Sequence, residues 1–245
     1  MKTSIIILTY NGLKYSKNCI ESIRKYTEKD YEIIVVDNNS TDGTKNWLSM
    51  QRDIKVIYNN ENFGFPIGCN QGIRAACGND ILLLNNDVIV TPNWLKNLRK
   101  CLYSSKNIGA VGPITNKCSN KQSINLRYDS INDMIKWCKK YNISNPSKWE
   151  NRSKLVGFCF FFKREVINKI GLLDERFSPG NYEDDDYSLR IRRAGYKLVL
   201  CRDTFIYHYG GVSFFRYDYL KLLNMNRDKF EKKWGAKYDV IFNEY

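Results

Sequence analysis

The 245-residue sequence contains a single histidine, only five prolines and no long apolar run. Because 43% of the residues are hydrophobic and no low-complexity tract is present, the composition argues against a disordered chain. No apolar run approaches the ~20 residues that span a bilayer, and the first run, residues 5–8, is too short for the core of a signal peptide. We therefore expect a folded cytoplasmic protein with one compact unit.

The eight cysteines are scattered along the chain. They form no Cys-x-x-Cys pair and show no zinc-binding spacing, which argues against a disulfide framework and against a metal knuckle. We expect reduced thiols, most of them buried as small hydrophobic side chains. The cysteines are Cys19, Cys69, Cys77, Cys101, Cys118, Cys138, Cys159 and Cys201.

Basic residues outnumber acidic ones, and the formal net charge is +13. A positive field attracts phosphates, acidic lipid headgroups and nucleic acid, so the charge alone names no partner. A compositional bias of the genome is the alternative interpretation of the many lysines.

Short aliphatic runs alternate with helical patterns through the first part of the chain. This alternation is typical of βαβ units, and it predicts an α/β fold with a single doubly wound, mainly parallel sheet flanked by helices. Ligands of such sheets bind beyond the carboxyl ends of the strands, where Thr9, Asp37 and Asp87 are placed. The predicted strands are residues 5–8, 33–36, 55–58, 81–84 and 109–114, and the predicted helices include residues 66–76 and 92–102.

The second part of the chain is less regular. Residues 115–153 are polar and lack clear periodicity, so we expect a variable excursion there. Beyond Phe214, apolar residues recur at helical spacing with basic residues between them, which predicts a basic amphipathic helix that packs on the core or, alternatively, lies on a membrane surface. The late elements are predicted strands at residues 155–162, 197–201 and 205–208 and helices at residues 165–170 and around Leu189.

The first candidate functional groups are a strand-end carboxylate and the histidine. Asn85-Asn86-Asp87 follows a predicted strand, so the sheet would hold the Asp87 carboxylate in place. Mg²⁺ and Mn²⁺ favour carboxylate and phosphate oxygens, and imidazole suits Mn²⁺ better than Mg²⁺. Asp87 and His208 are therefore a candidate pair for holding a metal over a diphosphate. The structural alternatives are an Asx turn at Asn85-Asn86-Asp87 and a histidine that only packs.

Residues 183–186, with the sequence Glu-Asp-Asp-Asp, form an unusual run of carboxylates. Such a run is commonly a solvated face or a helix N-terminus, where negative charge is favourable. Repulsion from acidic neighbours and partial desolvation would raise the pKa of any member that points into a cleft. One carboxylate, Asp184 or Asp185, can begin a helix while another acts as general base.

Short polar and glycine-containing motifs follow one another along the chain. They are Thr9-Tyr10-Asn11, Val35-Val36-Asp37-Asn38, Asn62-Phe63-Gly64-Phe65, Gly68-Cys69-Asn70-Gln71-Gly72, Leu84-Asn85-Asn86-Asp87, Glu183-Asp184-Asp185-Asp186 and Tyr207-His208-Tyr209-Gly210-Gly211. Their order and spacing resemble those of family 2 glycosyltransferases, which are inverting enzymes with the GT-A fold. The subgroup that the chain resembles is the rhamnosyltransferase-like and galactofuranosyltransferase-like enzymes of surface polysaccharide assembly. The resemblance extends from about Ser4 to Gly211.

The resemblance implies a role for individual residues. It makes Asp184, preceded by Glu183, the catalytic base, and it makes Asp87 and His208 the ligands of a divalent cation, Mn²⁺ or Mg²⁺. Asn85 stands where stricter members have an aspartate, and Cys69 stands where many members have an arginine. The implied nucleotide-binding residues are Thr9, Tyr10, Asn11, Asp37, Asn62, Gly64, Asn70, Asn85 and Asn86.

The resemblance also implies the partners of the protein. The donor is a nucleotide sugar, with UDP or dTDP favoured, and the acceptor is a glycan or a lipid-linked glycan. Residues 1–114 form the nucleotide-sugar-binding half of the GT-A domain, residues 115–215 the acceptor and catalytic half, and residues 216–245 a C-terminal helical segment. That segment is the candidate for peripheral contact with the inner face of a membrane, and no nucleic-acid partner is expected.

Two other function classes stay open. A nucleotidyltransferase would also combine a doubly wound sheet with strand-end acids and a metal, but Thr9-Tyr10-Asn11-Gly12 lacks a glycine-rich, basic phosphate loop. Release of pyrophosphate instead of a nucleoside diphosphate would identify it. A basic nucleic-acid-binding module is the third class, although the chain shows no recognised motif for it and the acidic run would repel phosphate.

Overall fold

Buried aliphatic runs form the central sheet. In the computed structural model, which describes residues 1–28, 30–210 and 219–242, the interiors of the first strands are excluded from solvent. Side chains alternate between the two faces of a strand, so Ile5 and Ile7 enter one core cluster while Ile6 enters the other. The strands are β1 (Thr3–Thr9), β2 (Tyr31–Asp37), β3 (Ile54–Tyr58), β4 (Asp80–Asn85), β5 (Val88–Ile89), β6 (Ile108–Ile114), β7 (Trp149–Arg152), β8 (Cys159–Lys163), β9 (Lys197–Phe205) and β10 (Tyr207–His208).

Within the described residues, eight strands form one sheet in the order β3-β2-β1-β4-β8-β6-β9-β7, and β5 pairs with β10. The first four strands run parallel, as do β6 and β9, whereas β8 and the edge strand β7 are antiparallel to their neighbours. The predicted α/β fold, a mainly parallel sheet flanked by helices, is confirmed. The helices are α1 (Leu13–Tyr26), α2 (Thr44–Ser49), α3 (Phe65–Ala75), α4 (Trp94–Leu102), α5 (Ile131–Tyr141), α6 (Arg164–Ile170), α7 (Glu183–Arg193), α8 (Tyr219–Trp234) and α9 (Tyr238–Phe242).

The carboxyl ends of the parallel strands meet at one edge of the sheet. Thr9, the last residue of β1, pairs with Asp37, the last residue of β2. Asp87 lies in the turn between β4 and β5. Antiparallel pairing of Val88 with His208 then brings β10 to this edge from the far end of the chain. The sheet therefore gathers residues that are widely separated in sequence.

The structure corrects the predictions for the second part of the chain. Residues 115–153 are not a featureless excursion, because they contain α5, which buries Met134 and Cys138, and the edge strand β7. The predicted strand at residues 197–201 extends to Phe205 as β9, and of the strand predicted at residues 205–208 only Tyr207 and His208 form a separate strand, β10. The strand predicted from residue 155 begins only at Cys159, since the preceding backbone turns toward α7.

The C-terminal region is also different in detail from the prediction. It forms two helices, α8 and α9, with Gly235 between them in the left-handed region at φ 66°. The first of these packs on the core, because Leu222 and Phe230 are buried and the Asn226 amide donates to the Phe177 carbonyl at 2.8 Å. No helix in the described ranges is long and apolar enough to cross a membrane.

The predicted state of the cysteines is confirmed. All eight are free thiols, and six of them are buried, while Cys118 is partly buried and Cys77 is exposed. Gly211, which closes the last motif, and Phe214 lie outside the described residues.

Candidate active site

His208 and Asp87 lie side by side at the carboxyl end of the sheet. The pairing of β5 with β10 holds them there, and the Tyr209 backbone N–H donates to the Asp87 carbonyl at 3.0 Å. His208 Nε2 is 3.2 Å from Asp87 Oδ1, and the two side chains are only 12% and 5% exposed. The Phe158 ring stacks on the imidazole, with the ring centroids 5.2 Å apart. The structure thus brings the two predicted metal ligands together.

The contacts of His208 define which of its ring nitrogens is free. Nδ1 is 3.0 Å from the Lys117 carbonyl oxygen, which can only accept, so we assign the ring proton to Nδ1. Nε2 of the neutral ring then carries a lone pair, and this buried atom has no hydrogen-bond partner among the described residues. Nε2 lies 3.2 Å from Asp87 Oδ1, so the nitrogen of the neutral ring and the carboxylate oxygen face one position. A divalent cation would satisfy both groups.

The donor set fits a metal that is shared with a substrate. Across the described part of the chain, no cluster of three or more His, Cys, Asp or Glu side chains could form a cage made by the protein alone. Mg²⁺ is commonly held by one or two carboxylates together with substrate phosphates, and imidazole favours Mn²⁺. Asp87 and His208 therefore fit a cation whose remaining ligands come from a diphosphate or from water.

The Asp184 carboxylate is fixed by backbone hydrogen bonds. The Gly157 N–H donates to Oδ2 at 2.8 Å, and the Asp185 N–H donates to Oδ1 at 2.9 Å. The absence of a side chain at Gly157 allows this approach, since an added Cβ would lie 3.3 Å from the Asp184 Cβ. Burial, and then the charge of Asp185, raise the pKa of Asp184 to about 6. Asp184 is therefore a positioned carboxylate that is ionised at neutral pH and remains a competent base.

Glu183 differs from its neighbour although it stands next to it in the chain. It begins α7, it is 7% exposed, and its Oε2 atom has no hydrogen-bond partner within the described ranges. Burial, and then the charge of Asp184, raise the pKa of Glu183 well above its usual range. Burial and the neighbouring Asp184 charge therefore disfavour the ionised form of Glu183, whereas Asp184, with a pKa of about 6, is mostly ionised at neutral pH.

These groups share one cleft. Its volume is about 810 Å³, which is within the range of small-molecule sites. Asn85, the last residue of β4, lines the cleft with His208 and the first turn of α7. Two cationic side chains, Lys117 and Lys154, also reach it. The predicted catalytic acids and the metal-ligand histidine consequently surround a single volume.

The side chain of Thr9 takes part in a buried network beneath the strand ends. Its Oγ1 atom lies 2.9 Å from Ser16 Oγ and accepts from Asn86 Nδ2 at 3.2 Å. Asn86 also donates to Ser16 Oγ at 3.0 Å. These bonds tie the turn that carries Asp87 to β1 and α1, so Thr9 and Asn86 support the position of the candidate metal ligand.

Two loops after β1 and β2 are bonded to each other. Asn11 has a positive φ of 58°, and its Oδ1 accepts from the Thr41 backbone N–H at 2.8 Å. Asp37 Oδ2 accepts from the Ser40 N–H at 3.0 Å, whereas the buried Oδ1 atom has no partner in the part of the chain that the structure describes. Tyr10, between Thr9 and Asn11, is partly buried. Asp37 Oδ1 is therefore an acceptor that a bound nucleoside could use.

Asn62, Gly64 and Asn70 organise the chain around the cleft. Asn62 Oδ1 accepts from the Gly64 N–H at 3.0 Å. Asn70 is 1% exposed, its Nδ2 donates to the Leu173 carbonyl at 2.9 Å, and its Oδ1 accepts from the Leu173 N–H at 3.0 Å. The structure thus places Asn70 inside the protein, beneath the segment that leads to α7, and outside the lining of the cleft.

Sequence reasoning missed three residues of the site. Lys154 forms an ion pair with Asp185 at 3.1 Å, and the Tyr238 hydroxyl donates to the same carboxylate at 2.6 Å. Gly157 supplies the backbone donor to Asp184 described above. No local motif marks Lys154 or Tyr238, because their roles depend on contacts between distant segments. A glycine inside an otherwise apolar run was the one available signal for Gly157.

Comparison with known proteins agrees with this geometry. A family model described as Glycosyl transferase family 2 matches residues 4–171, which is more than half of the chain. Glycosyltransferase AglE of Haloferax volcanii is 26% identical over 207 residues, covering 82% of this chain and 64% of the relative. Glycosyltransferase GlyG of Streptococcus pneumoniae serotype 4 is 24% identical over 250 residues, covering 98% of this chain and 78% of the relative.

An uncharacterised relative and two solved structures extend the comparison. Glycosyltransferase YfnE of Bacillus subtilis is 25% identical over 255 residues, covering 85% of this chain and 64% of that relative, so the chain spans less than two thirds of the length of both AglE and YfnE. The mannosyltransferase PcManGT from Pyrobaculum calidifontis, in complex with GDP-Man and Mn²⁺, has a TM-score of 0.65 at 19% identity, covering 87% of this chain and 58% of that one. S. aureus TarS 1–349 with UDP-GlcNAc has a TM-score of 0.64 at 17% identity, covering 94% and 67%.

Proposed function

The chain belongs to glycosyl transferase family 2, and we propose that it moves a sugar from a nucleoside diphosphate to an acceptor hydroxyl with inversion at the anomeric carbon. The observation that carries this proposal is the shared cleft, which is lined by both Asp184 and His208. A positioned base and a candidate metal site, which reaches this volume through His208, are the two elements that a direct displacement at a sugar carbon requires.

Asp184 is the proposed base. At neutral pH it is ionised, and its two backbone hydrogen bonds keep the carboxylate in one orientation. The carboxylate accepts the proton of the acceptor hydroxyl as that oxygen attacks the anomeric carbon from the face opposite the diphosphate. The bond between that carbon and the diphosphate oxygen breaks in the same step, so the configuration inverts. Burial and the Asp184 charge raise the pKa of Glu183, which disfavours a second negative charge next to the base.

Asp87 and His208 are the proposed ligands of a divalent cation, Mn²⁺ or Mg²⁺. Such a cation would act as a Lewis acid for the charge that develops on the departing nucleoside diphosphate. His208 presents Nε2 because its Nδ1 proton is donated to the Lys117 carbonyl. The mannosyltransferase neighbour was solved with Mn²⁺ and GDP-Man, which supports testing manganese first.

The donor half of the domain is proposed to be residues 1–114. Asp37 Oδ1 is the buried acceptor available to a nucleoside, and Asn11 and Tyr10 lie beside it in the loop after β1. UDP and dTDP sugars stay the favoured donors, and a rhamnose-like or galactofuranose-like sugar is the finer proposal. The TarS neighbour binds UDP-GlcNAc and the mannosyltransferase neighbour GDP-Man, so GDP sugars belong in any test.

The acceptor is proposed to bind against residues 115–215 and the C-terminal segment, residues 216–245. A glycan or lipid-linked glycan of surface polysaccharide assembly is the proposed acceptor. The cleft is lined on this side by Tyr182, Tyr219 and Tyr238, and aromatic rings are suitable surfaces for the apolar faces of sugars. Peripheral contact of the basic C-terminal segment with the inner face of a membrane is part of this proposal.

A thermal-shift screen tests the proposed function. The chain is heated with UDP, dTDP and GDP sugars, each with Mn²⁺ and with EDTA, and the midpoint of unfolding is measured. The cognate donor should raise the midpoint in Mn²⁺ and much less in EDTA, since a ligand that binds only the folded state stabilises it by mass action. Stabilised donors are then incubated with the enzyme, and the products are separated. Release of nucleoside diphosphate is expected, while pyrophosphate release or no stabilising sugar would contradict the proposal.

A further inference from the structure

Lys154, Asp185 and Tyr238 form a cluster that we call the clasp. The Lys154 ammonium is 3.1 Å from Asp185 Oδ1, and the Tyr238 hydroxyl donates to Asp185 Oδ2 at 2.6 Å. Lys154 and Tyr238 also contact each other directly. The three residues come from the segment before β8, from the first turn of α7 and from α9. The clasp therefore joins three parts of the chain at the N-terminus of α7, the helix that carries Asp184.

The clasp is partly buried and has an aromatic cover. The side chains of Lys154 and Asp185 are 19% and 15% exposed. The Lys154 ammonium lies over the rings of Tyr238 and Phe242, at 4.6 Å and 5.1 Å from their centroids. Ion pairs shielded from water in this way are stronger than surface pairs, and cation–π contacts add to them. The Lys154–Asp185 pair is consequently packed under aromatic rings and partly shielded from water, unlike an exposed surface ion pair.

The clasp acts on Asp184 through both charge and position. The Asp185 backbone N–H donates to Asp184 Oδ1, so holding Asp185 also holds the neighbouring carboxylate. The Asp185 charge raises the pKa of Asp184 and the Lys154 charge lowers it. The titratable and charged groups around Asp184 are Glu183, Asp185, Lys154, Cys118 and Tyr238, with Lys117 and His208 in the same cleft.

We propose that Lys154 and Tyr238 are positioning residues for the transfer reaction. Lys154 offsets the negative charge of Asp185, Tyr238 donates a hydrogen bond to it, and together they keep the neighbouring Asp184 an ionised, correctly oriented base. The inference rests on the proposed function of Asp184. The proposal makes α9 part of the active site, because Tyr238 is the first residue of that helix. The matched family region ends at residue 171, so both α7 and α9 lie beyond it, and the site is completed by the C-terminal part of the chain.

An NMR titration of the intact chain tests the clasp without any substrate. The protein is labelled with ¹³C at the aspartate carboxyls, and the Asp184 signal is assigned by its loss in Asp184→Asn. Lys154→Met should raise the Asp184 pKa by about one pH unit, because a neighbouring positive charge is removed. Asp185→Asn should lower it, because a neighbouring negative charge is removed. Lys154→Arg keeps the charge and should leave the pKa close to that of the wild type.

Shifts of the Asp184 pKa in opposite directions in Lys154→Met and Asp185→Asn distinguish the proposed positioning role from a purely structural one. Lys136→Met, at an exposed site on α5, removes the same charge from the surface and should not move the Asp184 pKa. Tyr238→Phe keeps the ring but removes the donor to Asp185, so it should raise the pKa in the same direction as Lys154→Met, by less. If Lys154→Met does not fold, Asp185→Asn and Tyr238→Phe still decide the matter. Shifts of one sign in both Lys154→Met and Asp185→Asn, or none in either, would overturn the proposal.

The pH dependence of kcat is a second test, independent of the NMR titration. With the donor identified by thermal shift, the acid limb of the kcat profile of Lys154→Met should move to higher pH, and Lys154→Arg should restore it. If Asp184→Asn retains full transfer, Asp184 is not the base and the proposed function fails, whatever the titration shows. If Asp184→Asn is inactive and the Lys154→Met acid limb does not move, the clasp fails alone.

Discussion

At the scale of single residues, local surroundings decide which carboxyl takes which role. Glu183 and Asp184 are neighbours in a run of acids, yet Asp184 accepts two backbone hydrogen bonds while Glu183 Oε2 accepts none within the described residues. Hydrogen bonds to a carboxylate favour its ionised form, and burial without them favours the neutral form. Asp184 is therefore assigned as the base, and burial raises the pKa of Glu183 beside it.

Substitution of the base should separate chemistry from binding. In Asp184→Asn, kcat should fall about 100- to 10,000-fold, the typical contribution of a general base, while the donor dissociation constant stays nearly unchanged. Steady-state kinetics and isothermal titration calorimetry measure the two quantities. Asp53→Asn is the matched control, because Asp53 is 55% exposed and pairs with Arg24 away from the cleft. Near wild-type kcat in Asp184→Asn would remove Asp184 from the mechanism.

The raised pKa of Asp184 also predicts a pH profile. The base must be ionised to accept a proton, so kcat should rise with pH through about 6, where burial and the charge of Asp185 place the pKa of Asp184. Below that value the carboxyl is protonated and transfer stops. Rates measured from pH 5 to pH 8, with donor saturation checked at each pH, follow this limb. An acid limb near the ordinary aspartate pKa of about 4 would contradict the assignment.

His208 is the residue that tests metal binding. In His208→Ala the Mn²⁺ concentration for half-maximal transfer should rise by at least about tenfold, since one of two protein ligands is lost. The melting temperature in EDTA should fall modestly, because the nearly buried ring loses its stacking on Phe158, and this control condition holds no metal. Metal titrations of activity and thermal melts measure both quantities. Unchanged manganese dependence together with a large loss of stability would make His208 a packing residue.

At the scale of secondary-structure elements, the catalytic helix is positioned by segments that carry no catalytic group. Gly64 is the N-cap residue of α3 and packs on Pro179, which precedes α7, and the Phe65 N–H donates to the Pro179 carbonyl at 2.8 Å. Asn70 on α3 binds the backbone at Leu173. Helix α3 thus links the donor half of the domain to the loop that leads into the acidic run.

Two glycines with the same backbone conformation allow a controlled test of this link. Gly64 has φ 83° and ψ −178°, and Gly171 has φ 78° and ψ −167°. A Cβ at Gly64 would lie 2.4 Å from Pro179 Cα, whereas at Gly171 nothing lies within 4 Å. Gly171→Ala should cost only the backbone strain of this region, about 1–3 kcal/mol. Gly64→Ala should cost about 1–3 kcal/mol more, because it also forces apart two backbones.

Urea unfolding curves of the two variants measure the difference. Gly64→Ala should in addition lower transfer activity, since the displaced Pro179 segment leads to α7, and Gly171→Ala should retain it. Equal loss of stability in both variants would show that the contact between Gly64 and Pro179 is not needed.

At the scale of the whole molecule, the formal charge of +13 is distributed between internal pairs and the surface. Lys233 on α8 is paired with Asp174 at 2.7 Å and with Asp186 at 2.5 Å, so part of the basic character of this helix is used to hold it on the core. Lys232 beside it is exposed. The remaining surface charge gives a positive field that acts at long range and is screened by salt.

Vesicle sedimentation tests the proposed membrane contact. The chain should sediment with vesicles containing phosphatidylglycerol at low ionic strength and should be released at about 0.5 M salt, where charges are screened within a few ångströms. Neutral phosphatidylcholine vesicles are the control, and they should leave the protein in the supernatant. Binding that resists salt would point to insertion of apolar side chains, and no binding at low salt would exclude the proposed contact.

The fold was more predictable than the site. The aliphatic runs of β1 to β4 predicted a parallel sheet, and the strand-end positions of Thr9, Asp37 and Asp87 followed from it. In residues 115–153 the prediction missed a local signal for α5, since Met134, Ile135 and Cys138 recur at helical spacing and Ser130 caps the helix by accepting from the Asp133 N–H. The polar strand β7, in contrast, is held by its pairing with β9. Local pattern is a weak guide where packing between distant segments decides the structure.

Sequence pattern was sufficient for the sheet and its carboxyl edge, because an unbroken aliphatic run is a local feature that marks a strand buried on both faces. Only the tertiary structure decided that His208 Nε2 lies 3.2 Å from Asp87 Oδ1, that two backbone N–H groups hold Asp184 beside the buried Glu183, and that Tyr238 reaches Asp185. Each of these depends on the distance between remote groups and on the exclusion of water around them, and neither quantity is encoded in the spacing of residues along the chain.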